Sequence, residues 1–193
     1  MRQNIFNYKN GLSFFFIFMV SISSFAQSVW KEVSESSIPI SSERFTIPLY
    51  YKTYSLDISA LSDRLVDAPR EFSVSVIDSP LTIDLPMPNG QMQSFTIVKS
   101  SLMHPVLQSK FPTIQSYLGQ GIDDRTSSLR LSIDHNGFHA MIISAYGTVY
   151  IDPYSINNSE YCISYYKKDF YATNTKLRSS QCLLETSQIS PFY

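Results

Sequence analysis

Glycine, cysteine and histidine are all scarce in this sequence: six glycines, two cysteines and three histidines in 193 residues. So few glycines exclude a collagen-like repeat, and the aromatic, non-heptad patterning excludes a coiled coil or a wholly disordered chain. No glycine-rich phosphate loop, no G-x-S-x-G elbow and no S-x-x-K with partners is present. An excess of one charge is also missing, with 15 Lys and Arg against 16 Asp and Glu. Nucleic-acid binding needs clustered cations, so that partner class is excluded as an expectation. What is abundant is aromatic: 13 Tyr and 13 Phe in a chain that is 44% apolar. Such side chains fit pleated, half-buried strands better than helices.

The amino end reads as a secretory leader. Arg2 and Lys9 precede an apolar run from Leu12 to Ile22, and Ser24-Phe25-Ala26 supplies small residues three apart, a cleavage pattern that ends the leader at Ala26. The rival, a retained membrane anchor, is disfavoured because the run is shorter than the ~20 residues that cross a bilayer and is diluted by serines. The chain then divides into a signal peptide (1–26), an exposed serine-rich entry segment (27–43), a β-rich domain (44–171) and a flexible tail or linker (172–193). Cleavage removes two basic residues and no acid, leaving 167 residues with 13 basic and 16 acidic side chains. A chain of that size buries about 70% of its unfolded surface in one core and needs neither metal nor disulfide to fold.

Hydrophobic periodicity predicts the elements. Strands are read over 45–58 and Phe72–Asp78, then Leu81–Leu85 and Met92–Val98 across an Asn89-Gly90 hairpin turn. Helices are predicted after a Ser59 N-cap, with Leu61, Leu65 and Val66 at helical spacing, and over His104–Ser109. Ile114–Leu118 leads to Gly119-Gln120-Gly121, read as flexible. A three-stranded meander follows over 129–134, 138–144 and 148–153, then a strand over 161–167. The expected class is strand-dominated α+β, a mainly antiparallel sheet or meander with one or two short helices.

Chemistry-bearing candidates are few. His135 and His139 stand four apart like half of a zinc site, but Asn136-Gly137 between them make a hairpin turn, with no Glu to serve as base and no third ligand. Structural roles are therefore expected for both. His104 reads as a helix-start residue, and Asp123-Asp124 as a solvated acidic turn, not a calcium loop. Cys162 and Cys182 could form a disulfide in an exported chain, or remain unpaired, Cys162 as a small buried hydrophobe. No metal site, no catalytic residue and no cofactor is expected.

Seven phrases occur in a set order: Trp30; Leu65-Val66-Asp67-Ala68-Pro69; Leu85-Pro86-Met87-Pro88-Asn89-Gly90 with Phe95; Leu107–Ile114; Gly137-Phe138-His139-Ala140-Met141; Tyr150-Ile151-Asp152-Pro153-Tyr154; and Tyr165–Asp169. Together they resemble the amino-terminal, propeptide-like region of bacterial secreted reprolysin-like zinc metallopeptidases, over about residues 30–171. The resemblance implies a non-catalytic exported domain that assists folding of a metallopeptidase catalytic domain or keeps it latent. The H-E-x-x-H zinc motif of the parent enzymes is not in this sequence, so the chain resembles a prodomain without its enzyme, from a truncated gene or a stand-alone homologue. In some relatives a thiolate fills the open zinc position, and Cys182 is the weak candidate for that role. The alternative is a secreted surface-adhesion or structural β domain with no protease partner. Either way the mature protein is expected outside the cytoplasm, secreted, periplasmic or on the cell surface, and off the membrane. Mass spectrometry of the exported protein should find a mature amino terminus at Gln27; an intact leader would refute the cleavage reading.

Overall fold

The computed structural model describes residues 28–39, 42–44, 46–100 and 104–173. Nine strands form one antiparallel sheet in the order β1-β2-β9-β8-β7-β6-β5-β4-β3. They are β1 (Trp30–Glu32), β2 (Lys52–Leu56), β3 (Thr82–Pro86), β4 (Met92–Ser100), β5 (Gln115–Gly121), β6 (Ser128–Asp134), β7 (Gly137–Ser144), β8 (Gly147–Pro153) and β9 (Tyr161–Tyr166). Strands β3 to β9 form a continuous up-and-down run. The last of them pairs back onto β2, with Tyr54 opposite Cys162. The strand-dominated, antiparallel class read from the sequence is the class observed.

Alternation decides the two faces. The inner face carries Phe95, Ile97, Leu129, Phe138, Ile142 and Ile151, each at most 1% exposed. The sheet curls on itself until it is nearly closed. Trp30 on the edge strand β1 meets Phe138 of β7 edge to face across the interior, with ring centroids 5.2 Å apart. At the β3–β4 turn, the Ser164 hydroxyl of β9 donates to the Pro86 carbonyl at 2.8 Å and Tyr54 donates to Met87 O at 3.3 Å. Helix α1 (Ile58–Val66) adds Leu61 and Leu65, both wholly buried, to the same interior.

Helix α1 begins two residues earlier than a Ser59 cap would place it. The Asp57 carboxylate accepts from Ala60 N at 2.9 Å, and Ser59 lies within the helix. Helix α2 (Pro105–Lys110) starts where predicted, capped by His104. A third short helix, α3 (Lys167–Thr173), follows β9 where the sequence reading had strand and then tail.

Four other expectations are corrected. Residues 72–78 are not a strand: Ser73 N and its hydroxyl both turn back to Arg70 O, and Val76–Asp78 is a 3-10 turn. The reason is that β4 is paired with β3 as far as Thr96 and the short edge beyond it is taken by Arg70, which bridges Lys99, leaving 72–78 only the local bridge of Val74 to Glu71. Gly119 and Gly121 are strand residues, not a flexible loop. A Cβ on Gly119 would lie 2.9 Å from Ile97 and from the Thr96 carbonyl, so glycine is there to admit its neighbours. The strand predicted over 45–58 shortens to β2, residues 46–51 having no ladder partner, and Phe45 lies outside the described residues.

The entry segment 27–43 is more than an exposed lead. It supplies β1 and buries Trp30 at 5% exposure. Ile38, with Val33 beside it, packs on the outer face of β9 against Ile163 and Tyr165. Arg44 then clasps it: the guanidinium stacks on the rings of Tyr51 and Tyr154 and donates to Glu35 at 2.8 Å. Tyr51 and Tyr154 donate to that same Glu35 oxygen, and these bonds, Tyr51's first, hold the carboxyl below its ordinary pKa. Truncating the Trp30 anchor (Trp30→Ala) should cost about 3–5 kcal/mol of unfolding free energy, measured by urea denaturation. A loss within the range of ordinary surface changes would show that β1 does not close the core.

Candidate functional site

The β6–β7 turn sets the geometry around the two histidines. Asp134 accepts from Asn136 N at 2.7 Å and Gly137 takes φ 125°, a conformation open to glycine, so the chain reverses within two residues. His135 is left exposed at the turn, whereas His139 enters β7 on the outer face of the sheet. The two do not converge as ligands: His139 is occupied with a carboxylate. Its Nδ1–H donates to Asp152 Oδ1 at 2.9 Å, and the Tyr165 hydroxyl donates to Asp152 Oδ2 at 2.6 Å. With Asp152 as acceptor, the proton is assigned to Nδ1. The Asp152 hydrogen bond is the main reason the imidazole pKa is raised; burial opposes it, and the charges of Asp152 and Asp134 add to it. Tyr165 is pushed up by burial and by the same carboxylate.

Strand register places this network at the end of a polar row. Ser100, Ser116, Ser132 and His139 stand directly opposite one another across β4 to β7, and the His139 side chain bonds Asp152 of β8. Beside the row lies a groove of 300 Å³ bordered by Arg130, Ser132, His139, Met141, Tyr150 and Asp152. On the other side of His139 and Asp152 is a cavity of 410 Å³, lined also by Thr46, Asn136, Pro153, Ser155, Ile156 and Asn157. The His139 ring therefore separates two hollows. It can hold a proton, pass it to a bound group, or donate a charged hydrogen bond through Nε2. No hydrogen bond joins Nε2 to the Ser132 hydroxyl opposite.

The remaining candidates have structural occupations. His104 accepts from Val106 N at 3.4 Å as the cap of α2. Asp124 accepts from the backbone and hydroxyl of Thr126, and Asp123 from Ser94 N at 3.3 Å, which ties down the β5–β6 turn. Among the described residues no group of three or more His, Cys, Asp or Glu is placed to hold a metal. Cys162 is a free thiol in the core, with burial raising its pKa well above the ordinary thiol value. Cys182, and with it the disulfide and the zinc-blocking role, lies outside the described residues, as does the leader.

Sequence reasoning missed the partners of His139. Period-2 alternation puts His139, Met141, Tyr150 and Asp152 on one face once β7 and β8 are paired, and that was the available signal. It also missed Phe72. That residue has φ 69°, in the left-handed region, and is 96% exposed. With Val66, Arg70, Lys99, Gln108 and Pro112 it lines a 720 Å³ hollow that shares Ser100 and Ser116 with the histidine groove. Nearby, α2 carries the exposed Val106 and Leu107, and its C-cap Phe111 is exposed too.

A raised folded-state pKa means that the His139 contribution is complete below the ordinary imidazole range and disappears as pH rises through the raised value. The stability difference between the wild type and His139→Gln should therefore shrink from about pH 6 to about pH 8, followed by denaturation midpoints. A difference that grows with pH would contradict the hydrogen-bond assignment. No protein-family model, no curated protein and no solved structure matches the chain, so the propeptide resemblance rests on the ordered phrases alone.

Proposed function

We propose that this chain is a non-catalytic exported binding module that packs on a zinc metallopeptidase domain, assisting its folding or keeping it latent. One observation carries the reading: Phe72 is presented outward at a backbone cost. A bulky side chain at positive φ is disfavoured by ~1–3 kcal/mol, and an exposed ring recovers none of this from the protein's own core. Burial of such a ring in a partner would return ~1.5–3 kcal/mol. Its setting fits a contact site, an apolar rim of Val66, Phe72 and Pro112 with Arg70 and Lys99 beside it. The ordered resemblance supplies the class of partner.

The test mixes the purified full chain with the catalytic domain of a reprolysin-like peptidase and follows complex formation and peptidase activity. A complex at micromolar concentration, weakened about tenfold or more by Phe72→Ala, is the expected result. Absence of binding, or an unaffected Phe72→Ala, would refute the proposal. An adhesion role is favoured instead by Tyr146, 87% exposed at the tip of the β7–β8 turn, and Tyr50, 70% exposed. Retention of the protein on washed cells, lost in Tyr50→Ser with Tyr146→Ser, would support that reading over the first.

A further inference from the structure

Three hydrogen-bond donors on the outer face of the sheet have no acceptor among the described residues. They are the guanidinium of Arg130, Nε2 of His139 when protonated, and the hydroxyl of Ser132. Register brings them together. Ser132 is directly opposite His139, and Arg130, opposite Met141, is its diagonal neighbour. Diagonal pairs on a sheet are roughly 7–8 Å apart, within reach of a long side chain. All three border the 300 Å³ groove, whose wall is apolar where Met141 and Tyr150 stand opposite each other.

The acids around the groove are already engaged. Both oxygens of Asp152 are taken, by His139 and Tyr165, and Asp134 caps the turn through Asn136 N. Arg130 makes no ion pair with either. We propose that this groove is a binding site for a carboxylate attached to an apolar body, such as an aromatic or aliphatic acid or the carboxyl end of a peptide. Arg130 holds the carboxylate as a planar donor fork, His139 and Ser132 complete its hydrogen bonds, and Met141 and Tyr150 receive the apolar part. A neutral isostere loses the charge-assisted bonds and leaves the same donors unpaired.

Protonation of His139 is coupled to the ligand. The groups facing it are Arg130, Ser132 and Asp134 from β6, Asp152 and Tyr150 from β8, and Tyr165 from β9. Of these, the two acids favour the imidazolium, and the like charge of the Arg130 guanidinium, a diagonal neighbour, works against it. An arriving carboxylate adds a third negative group and offsets Arg130, so binding takes up a proton and weakens as pH rises.

The probe is N-acetylphenylalanine, with its uncharged amide as control, titrated into the isotopically labelled full chain and followed by amide NMR. The acid should give saturable shifts at Ser132, His139 and Met141 that are about tenfold stronger in affinity than those of the amide. Arg130→Gln should weaken the acid about tenfold or more while signals far from the groove stay in place. Affinity should fall between about pH 6 and about pH 8, and His139→Gln should remove that dependence. Equal responses to acid and amide, no saturation by ~10 mM, or an unaffected Arg130→Gln would overturn the assignment. Since no peptidase is present, these outcomes are independent of whether the docking reading stands.

Discussion

The pairing of β2 with β9 is the constraint on which the rest of this structure depends. It joins a strand from the first third of the chain to the last strand of the sheet, Lys52 opposite Ser164 and Tyr54 opposite Cys162. Without it, β4 to β8 would be a flat meander with one face to water and an edge open at β9. With it, β1 is carried round far enough for Trp30 to reach Phe138, and a one-sided sheet gains an inside. Closing such a long loop costs entropy that grows only slowly with length, so a well-packed interior outweighs it.

That closure also divides the outer face. Over β8 and β9 the entry segment and α3 cover Ile163 and Tyr165, with Arg44 clasped between two tyrosines and Glu35. Over β4 the chain around Glu71 turns back onto the sheet, with Ser100 buried and donating to Glu71, and between that cover and the entry segment the part of the row from Ser132 to Asp152 borders the open groove. His139 lies where the two regions meet. Tyr165, buried beneath the cover, donates to the carboxylate that orients His139 at the groove, so one carboxylate ties the covered region to the exposed one.

Much of this was legible in the chain, for local reasons. The Asn89-Gly90 and Gly137 turns, the meander over 129–153 and the two predicted helices follow from alternation, caps and positive-φ residues that act within a few positions. Where reading failed, a distant neighbour decided. Residues 72–78 alternate as a strand should, yet the short edge that β4 leaves beyond β3 is taken at Lys99 by Arg70, and the segment turns aside with Phe72 outward. Gly119 reads as part of a flexible stretch because its real reason, Ile97 and Leu129 filling the space a Cβ would need, lies on two other strands. Trp30 looked exposed because the strand that buries it, β7, is about a hundred residues away in sequence.

The same division holds for the candidate site. The sequence by itself determined that His135 and His139 straddle a hairpin and cannot share a helical face, and that the fold is strand-dominated and aromatic. Only the tertiary structure decided that His139 would face Asp152 and Ser132 while His135 faced solvent. Alternation assigns a residue to a face, but register assigns its neighbours, and register is settled by the packing of all nine strands at once.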